Sequence, residues 1–277
     1  MAQNDSARRE LDAQYDTSKQ LADGNVAAYF DAFEAASVGA RASSRIERDI
    51  RYGAHERETF DFFPATRAGA PLFVWIHGGY WKRLSKDYFS FVGPPIVAAG
   101  GGVAILNYPL APGPSLDEIV DSVARGYAAA IAHAAASGCD IDRTVIGGHS
   151  VGAQLAGTVV ARNAVIGMFA LSGLYDLEPV RETYVNEWIA MDEASARRNS
   201  PVHLPPRANA PLVASVGGVE QAEFARQQAL YVDAWRGWGG SVRVIDAPNH
   251  NHFSIVLELE RPNAPLTRAL LETMGLD

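Results

Sequence analysis

The chain carries a single cysteine, Cys139, so no disulfide can close within it, and that usage suits a reducing cytoplasm. Cys139 itself, in Ser137-Gly138-Cys139-Asp140, reads as a plain loop cysteine rather than a reactive thiol. It has no apolar run of about 18 residues, so no membrane-spanning helix is expected. The stretch from Met1 to Leu21 is polar and charged without an apolar centre, so no secretory signal is expected either. Positive charge is also short: 24 Lys and Arg face 32 Asp and Glu, a net charge of −8. Nothing there would neutralise a row of phosphates, which argues against a general nucleic-acid binder. Repeats are absent, and alanine-rich helix is the only compositional bias. The expectation is a cytoplasmic protein acting on a small molecule, with no cofactor and no nucleic-acid or membrane partner; a homodimer remains open.

What the chain does have is length and apolar content. Its 277 residues, 48% hydrophobic and 20% charged, fit one large domain over 1–277. A helical arm is expected over 1–43, where Val26, Tyr29, Phe30 and Phe33 recur at helical spacing after Asn25. Two short strand-like segments, 45–52 and 58–63, read as an antiparallel opening hairpin. From Pro71 the pattern changes. Leu72-Phe73-Val74-Trp75-Ile76 is a continuous apolar run, as in a strand buried on both faces of a sheet. A helix over about 87–99, a strand at 102–106 and a long helix from Ser115 to about Ala136 follow, the last with a Ser115-x-x-Glu118 capping box. Strands are expected at 143–147, 166–171, 211–216 and 241–245, and helices to about 162, over 222–238 and over 266–274. The segment 172–206 has no such regularity and reads as a lid-like excursion. Regular alternation of strand and helix predicts an α/β fold: a mainly parallel twisted sheet, helices on both faces, and an antiparallel N-terminal hairpin.

Functional groups of such sheets gather beyond the carboxyl ends of the strands. His77, Ser150, Ser172, Gly217 and Asp246 all fall there. Thr144-Val145-Ile146-Gly147 leads into Gly148-His149-Ser150-Val151-Gly152, with small and apolar residues following at helical spacing. A serine between two glycines at a sharp strand-to-helix turn is what a nucleophile elbow requires. The helix opening at Val151 points a free N–H and its positive end at the serine oxygen. The base should follow the last strand, and Asn249-His250-Asn251-His252-Phe253 offers two histidines that an extended loop would aim to opposite sides. His252 is preferred, because Phe253-Ser254-Ile255 would anchor it; a metal half-site at His250-x-His252 finds no matching cluster elsewhere. For the acid, Glu220 after the strand at 211–216 is preferred, with Asp176 in reserve. Glu223 suits the start of the next helix, and Asp246 lies too close to His252. His77-Gly78-Gly79 exposes backbone N–H groups at a strand end, making Gly78, Gly79 and Tyr80 the second half of an oxyanion hole beside Val151. Tyr80, Trp81, Phe89, Tyr184 and Trp188 are candidates for an aromatic substrate pocket.

His77-Gly78-Gly79-Tyr80-Trp81, the Gly148-to-Gly152 elbow and His252-Phe253 together resemble the kynurenine formamidase branch of the α/β-hydrolase superfamily. The likeness extends to Arg51-Tyr52-Gly53, Asn107-Tyr108-Pro109-Leu110-Ala111-Pro112 and Ser172-Gly173-Leu174-Tyr175-Asp176-Leu177, so it covers nearly the whole chain. The resemblance implies a serine hydrolase that splits N-formyl-L-kynurenine into kynurenine and formate. One departure is Glu220, where the family commonly has aspartate. The alternatives are a general carboxylesterase for short acyl esters and, in a different class, a non-catalytic ligand-binding relative.

Overall fold

The computed structural model describes residues 2–276. The N-terminal arm is α1 (Ala2–Tyr15), a 3-10 turn (Thr17–Gln20) and α2 (Val26–Ser43), whose first turn is capped by Asn25 accepting from the Ala28 N–H. The arm is more regular than its weak periodicity suggests, because its contacts are tertiary: Tyr15 is fully buried and its hydroxyl donates to Glu223 at 2.6 Å. Then come β1 (Glu47–Arg51), β2 (Thr59–Phe63), β3 (Ala70–Ile76), α3 (Gly93–Ala98), β4 (Gly102–Leu106), α4 (Leu116–Ala136) and β5 (Cys139–His149). The second half runs α5 (Val151–Val160), β6 (Gly167–Leu171), α6 (Glu178–Arg181), α7 (Asn186–Ile189), α8 (Glu193–Arg198), β7 (Leu212–Ser215), α9 (Ala222–Gly237), β8 (Val242–Val244) and α10 (Pro265–Met274).

Eight strands form one sheet in the order β1-β2-β4-β3-β5-β6-β7-β8. β1 pairs with β2 and β2 with β4 antiparallel; every later pairing is parallel. On β3, Leu72, Val74 and Ile76 join the core beneath α4, α5 and α9, while Phe73 and Trp75 join the core beneath α2, α3 and α10. That alternation is the period-two geometry of a strand buried on both faces. The capping box forms as the sequence predicts: the Glu118 N–H donates to Ser115 Oγ, and Glu118 accepts from the Ser115 N–H. In the buried β2, Asp61 is neutralised by the equally buried Lys86, Nζ to Oδ1 2.8 Å.

The strand expected at 143–147 is longer, Cys139–His149, so Cys139 lies in the sheet and not in a loop, because Cys139 and Asp140 pair with Ala70 and Pro71 of β3. Two further elements differ from expectation. The helix expected over 87–99 is two 3-10 turns (Lys86–Tyr88, Ser90–Val92) followed by the six-residue α3. Pro94 and Pro95 explain it: they lack N–H donors and disfavour helix in the residue before them, so a helix can begin there but not run through. The second is 172–206, which holds three short helices and a 3-10 turn (Pro201–His203) and brings Tyr184 and Trp188 to a cavity shared with Ser150. Among the described residues no helix is long and apolar enough to cross a membrane.

Candidate active site

β5 delivers Ser150 at φ 57° and ψ −126°, a left-handed turn that costs a non-glycine residue about 1–3 kcal/mol. The neighbours must be glycine for a measurable reason. A Cβ on Gly148 would stand 2.3 Å from the Gly152 backbone, and one on Gly152 would stand 2.1 Å from the carbonyl oxygen of Ile76. The elbow therefore squeezes α5 against the end of β3, and His77-Gly78-Gly79 leaves β3 at that point. A Cβ on Gly78 would come within 3.0 Å of Ser150 Cβ, so only a glycine lets the loop pass this close to the serine.

The loop is held from behind by His77. Its Nδ1 donates to the Gly78 carbonyl oxygen at 2.7 Å, and its carbonyl accepts from the Tyr108 hydroxyl at 2.8 Å. The His77 ring stacks on Tyr108 at 4.3 Å with Phe89 beyond it at 6.0 Å, and complete burial drives its pKa down to about 3, so it is neutral. Phe89 is thus a support for His77, not a wall of the substrate pocket as expected from sequence. Past Gly79 (φ 115°) the backbone stays left-handed at Tyr80 (51°) and Trp81 (56°). The N–H groups of Gly79, Tyr80 and Val151 donate to no group among the described residues, and Val151 N is the first of α5, where the helix supplies no acceptor.

Glu220 and His252 meet beneath this loop. His252 Nδ1 donates to Glu220 Oε2 at 2.6 Å, and both side chains are almost fully buried. Glu220 Oε1 accepts from the Gly217 N–H at 2.7 Å and the Ser172 hydroxyl at 2.5 Å. Three donors offset the cost of burying the carboxylate. With the proton on Nδ1, the lone pair of His252 lies on Nε2. Ser150 and His252 line one cavity of about 320 Å³ and form no direct hydrogen bond in this arrangement. The reserve acid Asp176 is elsewhere, 3.4 Å from Arg226, and accepts from the Glu178 N–H in its own loop. Glu223 opens α9 and binds Arg226 and Tyr15. His250 turns away from His252, to Glu258 at 2.8 Å and Ser254 at 3.2 Å.

Of the expected pocket aromatics, Tyr80, Tyr184 and Trp188 line the cavity. Their polar atoms are tied to the frame: both hydroxyls donate to the Tyr15 carbonyl (2.6 and 3.1 Å), and Trp188 Nε1 donates to the Tyr80 carbonyl at 3.1 Å. Trp81 does not belong with them. It is fully buried in the core, its indole N–H donating to Gln154 at 3.1 Å. A tryptophan beside a glycine loop looks the same in sequence whether it turns outward or inward.

Two further residues act on His252 and were not apparent from the sequence. Gln20, from the arm, accepts the His252 backbone N–H at 2.7 Å, and His149 Nε2 donates to the His252 carbonyl at 2.7 Å. The His252 ring also packs on His149 (4.5 Å) and Phe224 (4.6 Å). Burial, and then the neighbouring His252, hold the His149 pKa well below its ordinary value, so it stays neutral. A phenyl ring would fill that space without burying the unpartnered Nδ1, so the gain from the histidine is its Nε2 donation. Small displacements of a reacting group cost about 10²-fold in rate. Gln20→Ala and His149→Phe are each expected to lower kcat by about 10- to 100-fold with KM little changed, and His149→Gln, which keeps a donor near Nε2, to recover part of it. Unchanged kcat in both variants would remove the clamp from the machinery.

Fold and site together define a serine hydrolase of the α/β-hydrolase class, and the α/β-hydrolase-fold family profile matches residues 73–255. The chain is 32% identical to kynurenine formamidase of Danio rerio over 97% of both chains, and 32% identical to that of Salmo salar over 98% of both. In structure it is similar to a candidate thioesterase from Silicibacter sp. TM1040, with TM-score 0.79 and 27% identity over 90% of this chain and 97% of that one. The chain belongs to the kynurenine formamidase family.

Proposed function

We propose that the chain is an arylformamidase hydrolysing N-formyl-L-kynurenine to kynurenine and formate, with Ser150, His252 and Glu220 as its triad. The observation that carries the reading is the buried Glu220–His252 pair at 2.6 Å, whose histidine lines one small aromatic cavity together with Ser150. A cavity of about 320 Å³ is at the small end for ligand sites, which fits a formyl group on an aryl ring better than a long acyl chain.

The mechanism follows from the positions. Ser150 Oγ attacks the formyl carbon as His252 Nε2 takes its proton, and Glu220 stabilises the resulting imidazolium through Nδ1. The oxyanion is received by the N–H groups of Gly79, Tyr80 and Val151, which have no other partner among the described residues. Gly78 contributes by its close approach to Ser150. The imidazolium then gives its proton to the departing aniline nitrogen, breaking the C–N bond and leaving formate esterified to Ser150. Water, deprotonated by His252, releases it. A cytoplasmic site of action is part of the same reading, supported by the single, buried Cys139.

The test is kcat/KM on N-formyl-L-kynurenine beside p-nitrophenyl acetate, with Ser150→Ala as the blank. A large preference for the formamide is expected. Ester turnover with negligible formamide cleavage would instead make it a carboxylesterase, and no Ser150-dependent turnover of either would make it a binding protein.

A further inference from the structure

The loop that forms the oxyanion hole continues into an ionic feature that the hydrolytic chemistry does not use. Lys82 and Arg83 follow three consecutive left-handed residues, and Leu84 after them is left-handed again (φ 68°). Strain of this kind persists only where the surroundings enforce it, and it gathers at ligand clamps. The enforcement is visible on both sides. Gly79 O accepts from the N–H groups of Lys82 and Arg83, Ala111 N–H donates to the Trp81 carbonyl, and Arg57 Nη2 donates to the Leu84 carbonyl at 2.7 Å. The result is two adjacent cations on the wall of the cavity that holds Ser150 and His252, in a chain whose net charge is −8. Neither is in an ion pair among the described residues. Lys82 Nζ is steered over the Trp188 ring instead, 4.1 Å from its centroid.

Across the same cavity stands one carboxylate, Asp16 of the N-terminal arm. Its Oδ1 accepts from the Ser18 N–H (3.1 Å) and hydroxyl (2.6 Å), which leaves Oδ2 for another donor. Tyr184 reports that the opposite charges share one neighbourhood: burial first, then Asp16 and Asp12, push its pKa up to about 12, while Arg83 acts in the other direction.

We propose that this rim is a subsite for an α-amino-acid arm, with Lys82 and Arg83 receiving the carboxylate and Asp16 the ammonium group. The inference deepens the arylformamidase reading and rests on it for the reaction, though not for the binding: the substrate is an aryl formamide carrying a zwitterionic side arm. A short ester such as p-nitrophenyl acetate has nothing to offer these three charges. The arm therefore selects among formamides that present the same scissile bond.

The experiment is calorimetric Kd measurement with two ligands that differ only in the arm, kynurenine and 2-aminoacetophenone, for the wild-type chain and for Lys82→Ala/Arg83→Ala, Lys82→Arg and Asp16→Asn. Exposed ion pairs are individually weak, so their combined effect is set at about tenfold. Wild type is expected to bind kynurenine about tenfold or more tightly than the ketone. The double alanine variant and Asp16→Asn should bring that ratio towards one, Lys82→Arg should keep it, and added salt should shrink it. Equal affinities in wild type, no detectable binding of kynurenine, or an undiminished ratio in the double variant would each overturn the subsite. A parallel comparison of kcat/KM on N-formylkynurenine and 2-formamidoacetophenone separates the two readings. Cleavage of both formamides at equal efficiency leaves an arylformamidase without the subsite. Cleavage of neither, with the kynurenine preference in Kd intact, leaves the subsite without the reaction.

Discussion

Glu220→Gln is expected to lower kcat by about 10⁴-fold, the size of effect seen when a triad carboxylate becomes an amide. The carboxylate has no idle oxygen: Oε2 accepts from His252 Nδ1, and Oε1 accepts from Gly217 N–H and Ser172 Oγ. An amide offers one oxygen and one NH₂ to these three donors. If the amide oxygen stays with Gly217 and Ser172, the NH₂ faces Nδ1, which must then give up its proton. The proton moves to Nε2, and the nitrogen that should take the Ser150 proton becomes a donor. Asp176→Asn is the matching control, since Asp176 is bound to Arg226 at 3.4 Å and to its own loop. Its kcat should stay within about threefold of wild type, because this half-buried carboxylate is bonded to Arg226 and its own loop and to none of Ser150, His252 and Glu220. Steady-state kinetics of the two variants, with a melting curve to verify that Glu220→Gln is folded, decides the point. An inactive Asp176→Asn beside an active Glu220→Gln would transfer the acid role to Asp176.

The sequence favours Glu220 but leaves Asp176 in reserve, and the reason is physical. The identity of Ser150 was legible because its requirements are local: a β-branched strand, two glycines, then a helix. The acid needs only a carboxylate beyond a strand end, and both Asp176 and Glu220 satisfy that. What separates them is the tight turn in which Glu220 N–H bonds the Gly217 carbonyl and the side chain folds back on the Gly217 N–H. This turn aims the longer side chain at a histidine 32 residues later. Ser172 was visible as a strand-end residue without a role; its role as a donor to Glu220 follows from the pairing of β6 with β7.

The sheet and its connections were legible for a similar reason, since buried parallel strands show as apolar runs at regular intervals. The arm was not. Gln20 reaches His252 across 232 positions of sequence, and Asp16 reaches the cavity from the same turn. Nothing in a short polar stretch indicates which distant peptide it will meet. Aromatics near a motif mislead in the opposite direction. Trp81 and Phe89 look available beside the glycine loop, yet one fills the core and the other backs His77.

Gly152→Ala is expected to destabilise the chain by about 3 kcal/mol or more, a magnitude reserved for strained backbone and overpacked cores. The added methyl would sit 2.1 Å from the Ile76 carbonyl oxygen and 2.6 Å from that of His77, and both obstacles are backbone atoms, one the last of the central strand β3 and the other the first of the loop that leaves it. No rotamer can relieve the clash, so α5 and β3 must separate. At about 2–4 °C per kcal/mol for a chain of this size, Tm should fall by about 6 °C or more. Gly39→Ala provides the contrast: it lies inside α2 with nothing within 4 Å of the new Cβ, and should raise stability by about 0.5–1 kcal/mol. A Gly152→Ala chain that melts like wild type would show that the elbow has slack. The same separation should also appear in kcat at temperatures where the variant is still folded. β3 runs out into the loop that carries the Gly79 and Tyr80 N–H groups, and α5 begins at Val151 directly after Ser150, so the contact at Gly152 sets the distance between the two halves of the oxyanion hole. Stability and catalysis depend here on one approach of two backbones, and a single methyl group between them should cost both.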